Sequence, residues 1–244
     1  CSIILFGSDI IENFYSNLFQ PGLKNEDVVE IFGNNTSGLL IDLISDALMP
    51  SRCNVEPLGV LVFNTVGKLN FSELINALKK KISVNTNIDC DADLDTILQR
   101  ILKNLFVLDV YDATQFYTTI HNLDNILAQH QNISMLIFDT LTAFYWSEQG
   151  SKITKMDLYI KNLLRMIQKV SKEYKVILIY TRPGYFSSSK DSGNIAEVQI
   201  SECVNFKVYL IDNNITETYQ VNVKTPDLYY KKCMSIKDNE INWQ

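Results

Sequence analysis

The feature that most constrains the fold is a set of short segments in which nearly every residue is apolar. The clearest are Leu58–Asn64, LGVLVFN, and Ile133–Asp139, ISMLIFD. A strand with one face in water alternates apolar and polar residues, whereas a strand that is buried on both faces is apolar almost throughout. These segments therefore predict central strands of a sheet that has helices on both faces.

Helix patterns lie between the apolar segments. Residues 39–48, for example, are apolar at helical spacing, and so are residues 116–127, which we predict to form part of one helix. Strands that alternate with helices indicate an α/β protein with a mostly parallel sheet. The order of the patterns therefore predicts a parallel central sheet flanked by helices.

The last part of the chain has a different pattern. Two strand patterns, Phe206–Ile211 and Thr216–Val223, flank the turn residues Asp212–Ile215, which is typical of an antiparallel hairpin. A second hairpin follows. We predict a single domain over residues 28–244 that ends in antiparallel hairpins, preceded by a lead-in segment over residues 1–27.

Composition favours a folded, soluble protein in a reducing intracellular compartment. Of the 244 residues, 46% are hydrophobic and 20% are charged, and no apolar stretch approaches the roughly 20 residues that a membrane span needs. The start of the chain has no basic leader or cleavage site of the secretory type. The five cysteines are odd in number and form no C-x-x-C pair, so neither a disulfide framework nor a metal site is expected.

The formal net charge is −6. A protein that grips nucleic acid by itself usually carries a basic surplus, because neutralising phosphates supplies much of the affinity. We therefore expect any contact with nucleic acid to be local or to depend on a partner.

A glycine-bounded loop, GNNTSGLL, follows the strand pattern at residues 28–32. Its glycines, Gly33 and Gly38, have the spacing of the phosphate-binding motif G-x-x-x-x-G-K-[ST], but Leu39 and Leu40 occupy the positions of the lysine and the hydroxyl residue. Asp139 ends an apolar strand pattern, where such a site has the acid that orients Mg²⁺. Taken singly, the two glycines can equally be structural and Asp139 an ordinary turn residue.

Motifs along nearly the whole chain resemble the eukaryotic RecA-family recombinase paralogues. The most specific is Leu136–Trp146, LIFDTLTAFYW, with its acid and its Ala-Phe-Tyr-Trp ending. Glu30–Gly33 with Gly38 is similar to the family's glycine loop, and Asn17–Phe19 to its lead-in. The resemblance implies a RecA-like P-loop NTPase core.

The same resemblance implies that the nucleotide site is degenerate. Asn64 and Val66 stand where catalytic recombinases have two acids, and Arg182 replaces part of a sensor motif. Together with the two leucines of the loop, these departures imply no catalytic residues and no ATPase activity. No cofactor is expected, and ATP with Mg²⁺ is expected only if the degenerate site still binds.

By resemblance, two loops that reach DNA in recombinases correspond to residues 147–155 and 183–202 of this chain. The candidate DNA-contacting residues in them are Lys152, Lys155, Tyr185, Phe186 and Lys190. Both loops are only weakly basic, and flexible polar loops remain the simpler interpretation.

The resemblance implies a non-catalytic subunit of a recombinase-paralogue complex that promotes homologous-recombination repair of DNA double-strand breaks in the nucleus. Its expected partners are other RecA-family paralogues in a hetero-complex, with DNA reached through the complex and no membrane contact. Two alternatives stay open. One is a DNA-dependent ATPase that a partner subunit completes, and the other is a single-stranded DNA-binding module.

Overall fold

A computed structural model describes residues 14–49, 58–65, 67, 69–85, 91–148, 155–184, 203–213, 218–237 and 240–243. The strands are β1 Val28–Gly33, β2 Gly59–Asn64, β3 Leu105–Asp109, β4 Ile133–Asp139, β5 Ile177–Pro183, β6 Phe206–Asn213, β7 Thr218–Lys224, β8 Tyr229–Lys237 and β9 Glu240–Trp243. The helices are α1 Ser37–Leu48, α2 Phe71–Asn85, α3 Asp91–Leu102, α4 Ala113–His121, α5 Leu123–Gln129, α6 Tyr145–Glu148 and α7 Met156–Glu173.

The strands form one sheet in the order β3-β2-β4-β5-β1-β6-β7-β8-β9. The pairs from β3 to β6 are parallel, and those from β6 to β9 are antiparallel. The predicted fold class, a mostly parallel sheet with antiparallel C-terminal hairpins, is confirmed.

Each face of the parallel part of the sheet is buried under its own helices, which explains the uninterrupted apolar segments. In β2, Val60 and Val62 belong to a cluster with α1, α2 and α3, whereas Leu61 and Phe63 belong to a cluster with α4, α5 and α7. Because side chains alternate between the faces, a central strand must be apolar at every position to serve both clusters.

The described part of the lead-in, residues 14–27, packs on the α1 side of the sheet. Leu18 and Phe19 are buried in the same cluster as α1. The hydroxyl of Tyr230 on β8 donates a hydrogen bond to the carbonyl oxygen of Leu18 at 2.6 Å. The lead-in is therefore tied to the C-terminal strands.

The helix predicted after β3 is in fact two helices, α4 and α5, that meet at Asn122. The Asn122 side chain accepts a hydrogen bond from the Asn125 side-chain amide at 2.7 Å, within the first turn of α5. Asparagine bonds locally in this way more readily than it continues a helix, which accounts for the break. By contrast, Asn70 caps α2, because its side-chain oxygen accepts from the backbone N–H groups of Ser72 and Glu73.

Gly59 at the start of β2 is required by the close approach of another backbone. A Cβ at this position would lie 2.4 Å from the carbonyl oxygen of Asn132 and 2.9 Å from the Cα of Ile133. We expect Gly59→Ala to lower the free energy of unfolding by about 3 kcal/mol, measured by urea denaturation, because backbone rather than a flexible side chain must move.

Gly38→Ala is the matched control. Its Cβ would meet only the terminal Cδ1 of Ile236, at 3.0 Å, and alanine favours a helix over glycine by about 1 kcal/mol. We expect the control to stay within about 1 kcal/mol of the parent. An equal decrease in the free energy of unfolding of the two variants would contradict the explanation given for Gly59.

Candidate functional site

The carboxyl ends of four parallel strands bring three of the predicted nucleotide-site residues, together with Thr181, to one edge of the sheet. Gly33 ends β1, Asn64 ends β2, Asp139 ends β4 and Thr181 lies near the end of β5. The residues two positions earlier in each strand belong to the apolar cluster on the α1 face: Ile31, Val62, Ile137 and Ile179. By alternation, the four edge residues lie on the face that carries α1, as a phosphate-binding loop requires.

The loop between β1 and α1 packs closely against the C-terminal strands. A Cβ at Gly33 would lie 2.9 Å from both the Cβ and the carbonyl oxygen of Leu210 on β6. The side-chain amide of Asn35 donates to the carboxylate of Asp212 at 3.1 Å. Gly33 therefore has a structural reason to be glycine that does not involve a phosphate.

The N-terminus of α1 follows the glycine loop directly, which is the order of elements in a phosphate-binding loop. Thr36 precedes the helix, is buried and makes no side-chain capping bond, and its carbonyl accepts from the N–H of Leu40 at 3.0 Å. The free N–H groups of a helix N-terminus attract phosphate groups. The helix N-terminus is therefore one element of a phosphate site that this chain has.

The side chains that should supply charge and metal ligation are buried in the core instead. Leu39 and Leu40 are both 0% exposed and belong to the apolar cluster between α1 and the sheet. Neither can neutralise a phosphate oxygen or ligate Mg²⁺. The two functions that the motif assigns to these positions therefore have no chemical group here.

Asp139 is buried and is held by its neighbours. One carboxylate oxygen accepts from the Thr181 hydroxyl at 3.0 Å, and its carbonyl oxygen accepts from the Thr65 hydroxyl at 2.8 Å. The following peptide bond, to Thr140, is cis, and the N–H of Thr140 donates to Thr65 at 2.8 Å. Asp139 is thus oriented by β2 and β5, at the place where a metal-orienting acid belongs.

Asn64 has an amide where a water-activating carboxylate is expected. Its side-chain amide donates to the carboxylate of Asp109 at 2.7 Å, and no hydrogen-bond partner for its buried Oδ1 is found among the described residues. An amide has no proton-accepting form at neutral pH, so Asn64 cannot act as a general base.

Sequence reasoning missed Asp109, which joins this edge from β3 through its bond to Asn64. The sequence pattern that would have indicated Asp109 was present, because Asp109 ends an apolar strand just as Asp139 does. The hydroxyls of Thr65 and Thr181 were also missed. Small polar residues at strand ends are common, so their contacts could not be inferred from the sequence.

Arg182, at the former sensor position, faces the opposite side of the sheet. Its guanidinium lies 3.0 Å from Asp157 on α7 and 3.5 Å from Glu30 on β1, and it stacks over the ring of Phe32 at 5.7 Å. Burial, with a smaller contribution from Glu30, also raises the pKa of the neighbouring Tyr180 well above its usual range. Arg182 therefore links β1, β5 and α7 and does not point toward the loop.

Among the other predicted site residues, Lys155 lies within the described part of the chain. Lys155 is exposed just before α7, and its carbonyl accepts from the N–H groups of Leu158 and Tyr159. The remaining candidates lie outside the described residues: Val66, Lys152, Tyr185, Phe186 and Lys190.

Two kinds of feature are absent from the described part of the chain. No group of three or more His, Cys, Asp or Glu residues there could hold a metal ion. Among the described helices, none has the length and apolar character to cross a membrane.

The strand order, the glycine loop between β1 and α1 and the acid at the end of β4 agree with a RecA-like core, and two similar proteins confirm the resemblance found in the motifs. The chain is similar to the DNA repair protein XRCC2 of Mus musculus, with 20% identity over 198 residues that cover 78% of this chain and 68% of XRCC2. It is also similar to the DNA repair and recombination protein RadB of Methanosphaera stadtmanae, with 28% identity over 91 residues that cover 37% of this chain and 39% of RadB. No protein-family model matches the chain.

The burial of Leu39 gives a direct test of the site. We expect Leu39→Lys to lower the free energy of unfolding by about 3 kcal/mol or more, because it places an ammonium group in an apolar cluster. Leu39→Met, which nearly conserves volume, should cost less than about 1.5 kcal/mol. Thermal and urea unfolding with and without Mg·ATP measures both effects. If the lysine variant were as stable as the methionine variant and Mg·ATP stabilised it further, residue 39 would face a working nucleotide site.

Proposed function

We propose that this chain is a non-catalytic, RecA-like subunit of a recombinase-paralogue complex that promotes homologous-recombination repair of DNA double-strand breaks. The observation that carries the proposal is the complete burial of Leu39 and Leu40 at the two motif positions that need a cation and a metal ligand. A RecA-like core that has lost these groups retains its shape and therefore its capacity to assemble.

Loss of catalysis follows from the number of missing groups. Phosphoryl transfer relies on positioning and on electrostatic stabilisation by a lysine, Mg²⁺ and a group that orients water. This chain has a leucine in place of the lysine, a leucine in place of the metal-binding hydroxyl and Asn64 in place of an acid. Removing one such group costs orders of magnitude in rate, and groups that act together do not substitute for one another.

The relatives support the biological process. XRCC2 is named as a DNA repair protein and RadB as a DNA repair and recombination protein. We infer a role of the same kind here, with the nucleus as the proposed site of action and with DNA reached through the complex.

An edge of the sheet offers a docking surface for a partner paralogue. β3 is a terminal strand of the sheet, and four of its five residues are half-buried and apolar: Leu105, Phe106, Val107 and Leu108. Exposed apolar edges of this kind accept a strand from another chain unless charge or proline blocks them. We infer that the partner adds an extended segment alongside β3.

The hydrogen bonds of β3 indicate which backbone groups are available. The carbonyl of Asn104 and the N–H of Val110 both bond toward β2. In a parallel strand alternate residues bond to opposite sides, so the N–H and C=O groups of Leu105, Val107 and Asp109 point away from β2. These groups form the edge that the partner segment would pair with.

Nucleotide retention tests the loss of the site. The purified chain, mixed with Mg²⁺ and labelled ATP, is expected to retain less than stoichiometric ATP after gel filtration and to produce no phosphate above background. Stoichiometric, Mg²⁺-dependent retention would contradict the proposal.

The alternative, an ATPase completed by a partner subunit, rests on the retained Asp139. It is tested with the complex that co-purifies with the tagged chain. An Asp139→Asn variant keeps the size of the side chain but removes its charge. If this chain is non-catalytic, ATP turnover by the complex should be the same with parent and variant, and a loss of tenfold or more would favour the alternative.

The docking edge is tested by Val107→Pro. Proline removes only an N–H that points away from β2, so the sheet should keep its own bonds, while pairing with a partner segment should fail. Val107→Ala is the control, because it removes a similar packing contribution but keeps the N–H. Tagged chains are expressed in cells and the co-purified proteins are identified by mass spectrometry.

We expect a RecA-family chain to co-purify with the parent and with the alanine variant, and to be depleted at least tenfold with the proline variant. Recovery of no RecA-family chain with the parent would contradict the partner proposal. Equal recovery with all three chains would place the interface elsewhere.

A further inference from the structure

The described lead-in covers apolar surface of the core. Leu18 and Phe19 are buried in the α1 cluster, and the ring of Phe19 lies 5.4 Å from that of Phe206 on β6. The Tyr230 hydroxyl, which donates to Leu18, also accepts a hydrogen bond from the N–H of Gln20 at 3.0 Å. A lead-in that left this position would therefore expose apolar side chains of its own and of the core.

Tyr15 is held in an unusual backbone conformation. Its φ is 49°, in the left-handed region that residues with a side chain rarely adopt. Its ring meets the Trp243 ring on β9 edge to face at 5.9 Å, and its hydroxyl donates a hydrogen bond to the carboxylate of Asp42 on α1. Since a left-handed tyrosine persists only where its surroundings hold it, these contacts fix this part of the lead-in.

Tyr15 closes over two carboxylates and one ammonium group. Lys81 on α2 pairs with Asp42 at 2.7 Å and with Asp46, which lies one turn further along α1. The same ammonium donates to the backbone carbonyl of Asp42 at 3.2 Å. We call Tyr15, Asp42, Asp46 and Lys81 the Tyr15 cluster. With both carboxylates ionised, the cluster carries one uncompensated negative charge.

The cluster is only partly accessible to water, so this extra charge is costly. Tyr15 is buried, and the other three side chains are half-buried. Burial raises the pKa of Asp46; Lys81 opposes this rise and Asp42 adds to it. Tyr15 lies close enough for the charge of Asp46 to act on it, and burial raises the pKa of Tyr15, so its hydroxyl stays protonated. Asp46 is therefore the group of the cluster that takes up a proton as the pH falls.

Docking of the lead-in and proton uptake by Asp46 are linked. When Tyr15 covers the cluster it excludes water from the carboxylates, and when it leaves, water returns and the pKa of Asp46 moves back toward its ordinary value. A state that binds a proton more tightly is favoured as the pH falls. The contribution is complete below the ordinary aspartate pKa of about 3.9 and is lost as the pH rises through the raised pKa of Asp46.

We propose that the lead-in is a pH-sensitive strap, which the Tyr15 cluster holds on the core more tightly as the pH falls. Release of the strap at higher pH uncovers the apolar surface beneath Leu18 and Phe19, and acidification covers it again. The strap needs neither a nucleotide nor a partner subunit, so it goes beyond the proposed function and can be true or false independently of it.

The test is hydrogen exchange of the whole chain, read by mass spectrometry from about pH 4.5 to about pH 7.5 and corrected for the intrinsic exchange rates. The protection of residues 16–23 reports docking of the lead-in, and that of β4 reports global stability. From the upper to the lower pH we expect lead-in protection to rise at least about fivefold and β4 protection to change less. One linked proton permits at most about tenfold per pH unit.

Asp46→Asn is the probe variant, because it keeps the size of the side chain and removes the titrating group. We expect it to protect the lead-in at the upper pH as well as the parent does at the lower pH, with less than about a twofold change over the range. Asp95→Asn is the matched control: Asp95 also pairs with a lysine of α2, Lys79 at 3.2 Å, but it lies on α3 outside the cluster. The control should keep the pH dependence of the parent.

Tyr15→Phe tests the hydroxyl separately. It keeps the ring against Trp243 and removes the donor to Asp42. We expect lead-in protection to fall about tenfold over the whole pH range with β4 protection unchanged, since a hydrogen bond to a charged group is lost. Circular dichroism at each pH confirms that every variant is folded.

The proposal is overturned if lead-in protection in the parent does not change with pH. It is equally overturned if Asp46→Asn keeps the pH dependence of the parent, or if Asp95→Asn loses it. A change of the same factor in the lead-in and in β4 would mean that the whole chain opens, and this too would exclude a strap that moves by itself.

Discussion

The apolar strands β1, β2, β4 and β5 can be buried on both faces only if their backbone N–H and C=O groups bond to neighbouring strands. An unpaired backbone group in such a place would cost as much as a lost hydrogen bond, so the strands must lie side by side. Parallel pairing then sends their carboxyl ends to one edge, and the helices that cross over cover both faces. The position of any nucleotide site follows from this arrangement.

At that edge the backbone resembles a phosphate-binding loop in the order of its elements, whereas the side chains are apolar. The glycine loop runs from β1 directly into α1, and Gly33 is needed because β6 approaches it closely. Leu39 and Leu40 extend the apolar core to the place where such a site has charge. The loop therefore has an architectural role that needs no bound ligand.

The charged side chains near this edge lie on the face of the sheet opposite α1. Arg182 pairs with Glu30 and Asp157, and Lys207 pairs with Glu30 from the next strand. Buried ion pairs contribute little net stability, but breaking one by removing a single partner is costly, so the pairs of Glu30 with Arg182 and Lys207 fix the relative positions of β1, β5 and β6.

The sequence by itself determined the central strands, the order of the elements and the change to antiparallel hairpins, because periodicity and turn chemistry are local properties. It also placed the glycine loop and Asp139 at strand ends. It did not reveal the break at Asn122, where a side-chain bond competes with helix propagation. The bond of Asp109 to Asn64 and the direction of Arg182 depend on strand register. Register is decided only when segments far apart in the chain pair, because pairing and alternation together decide which side chains meet.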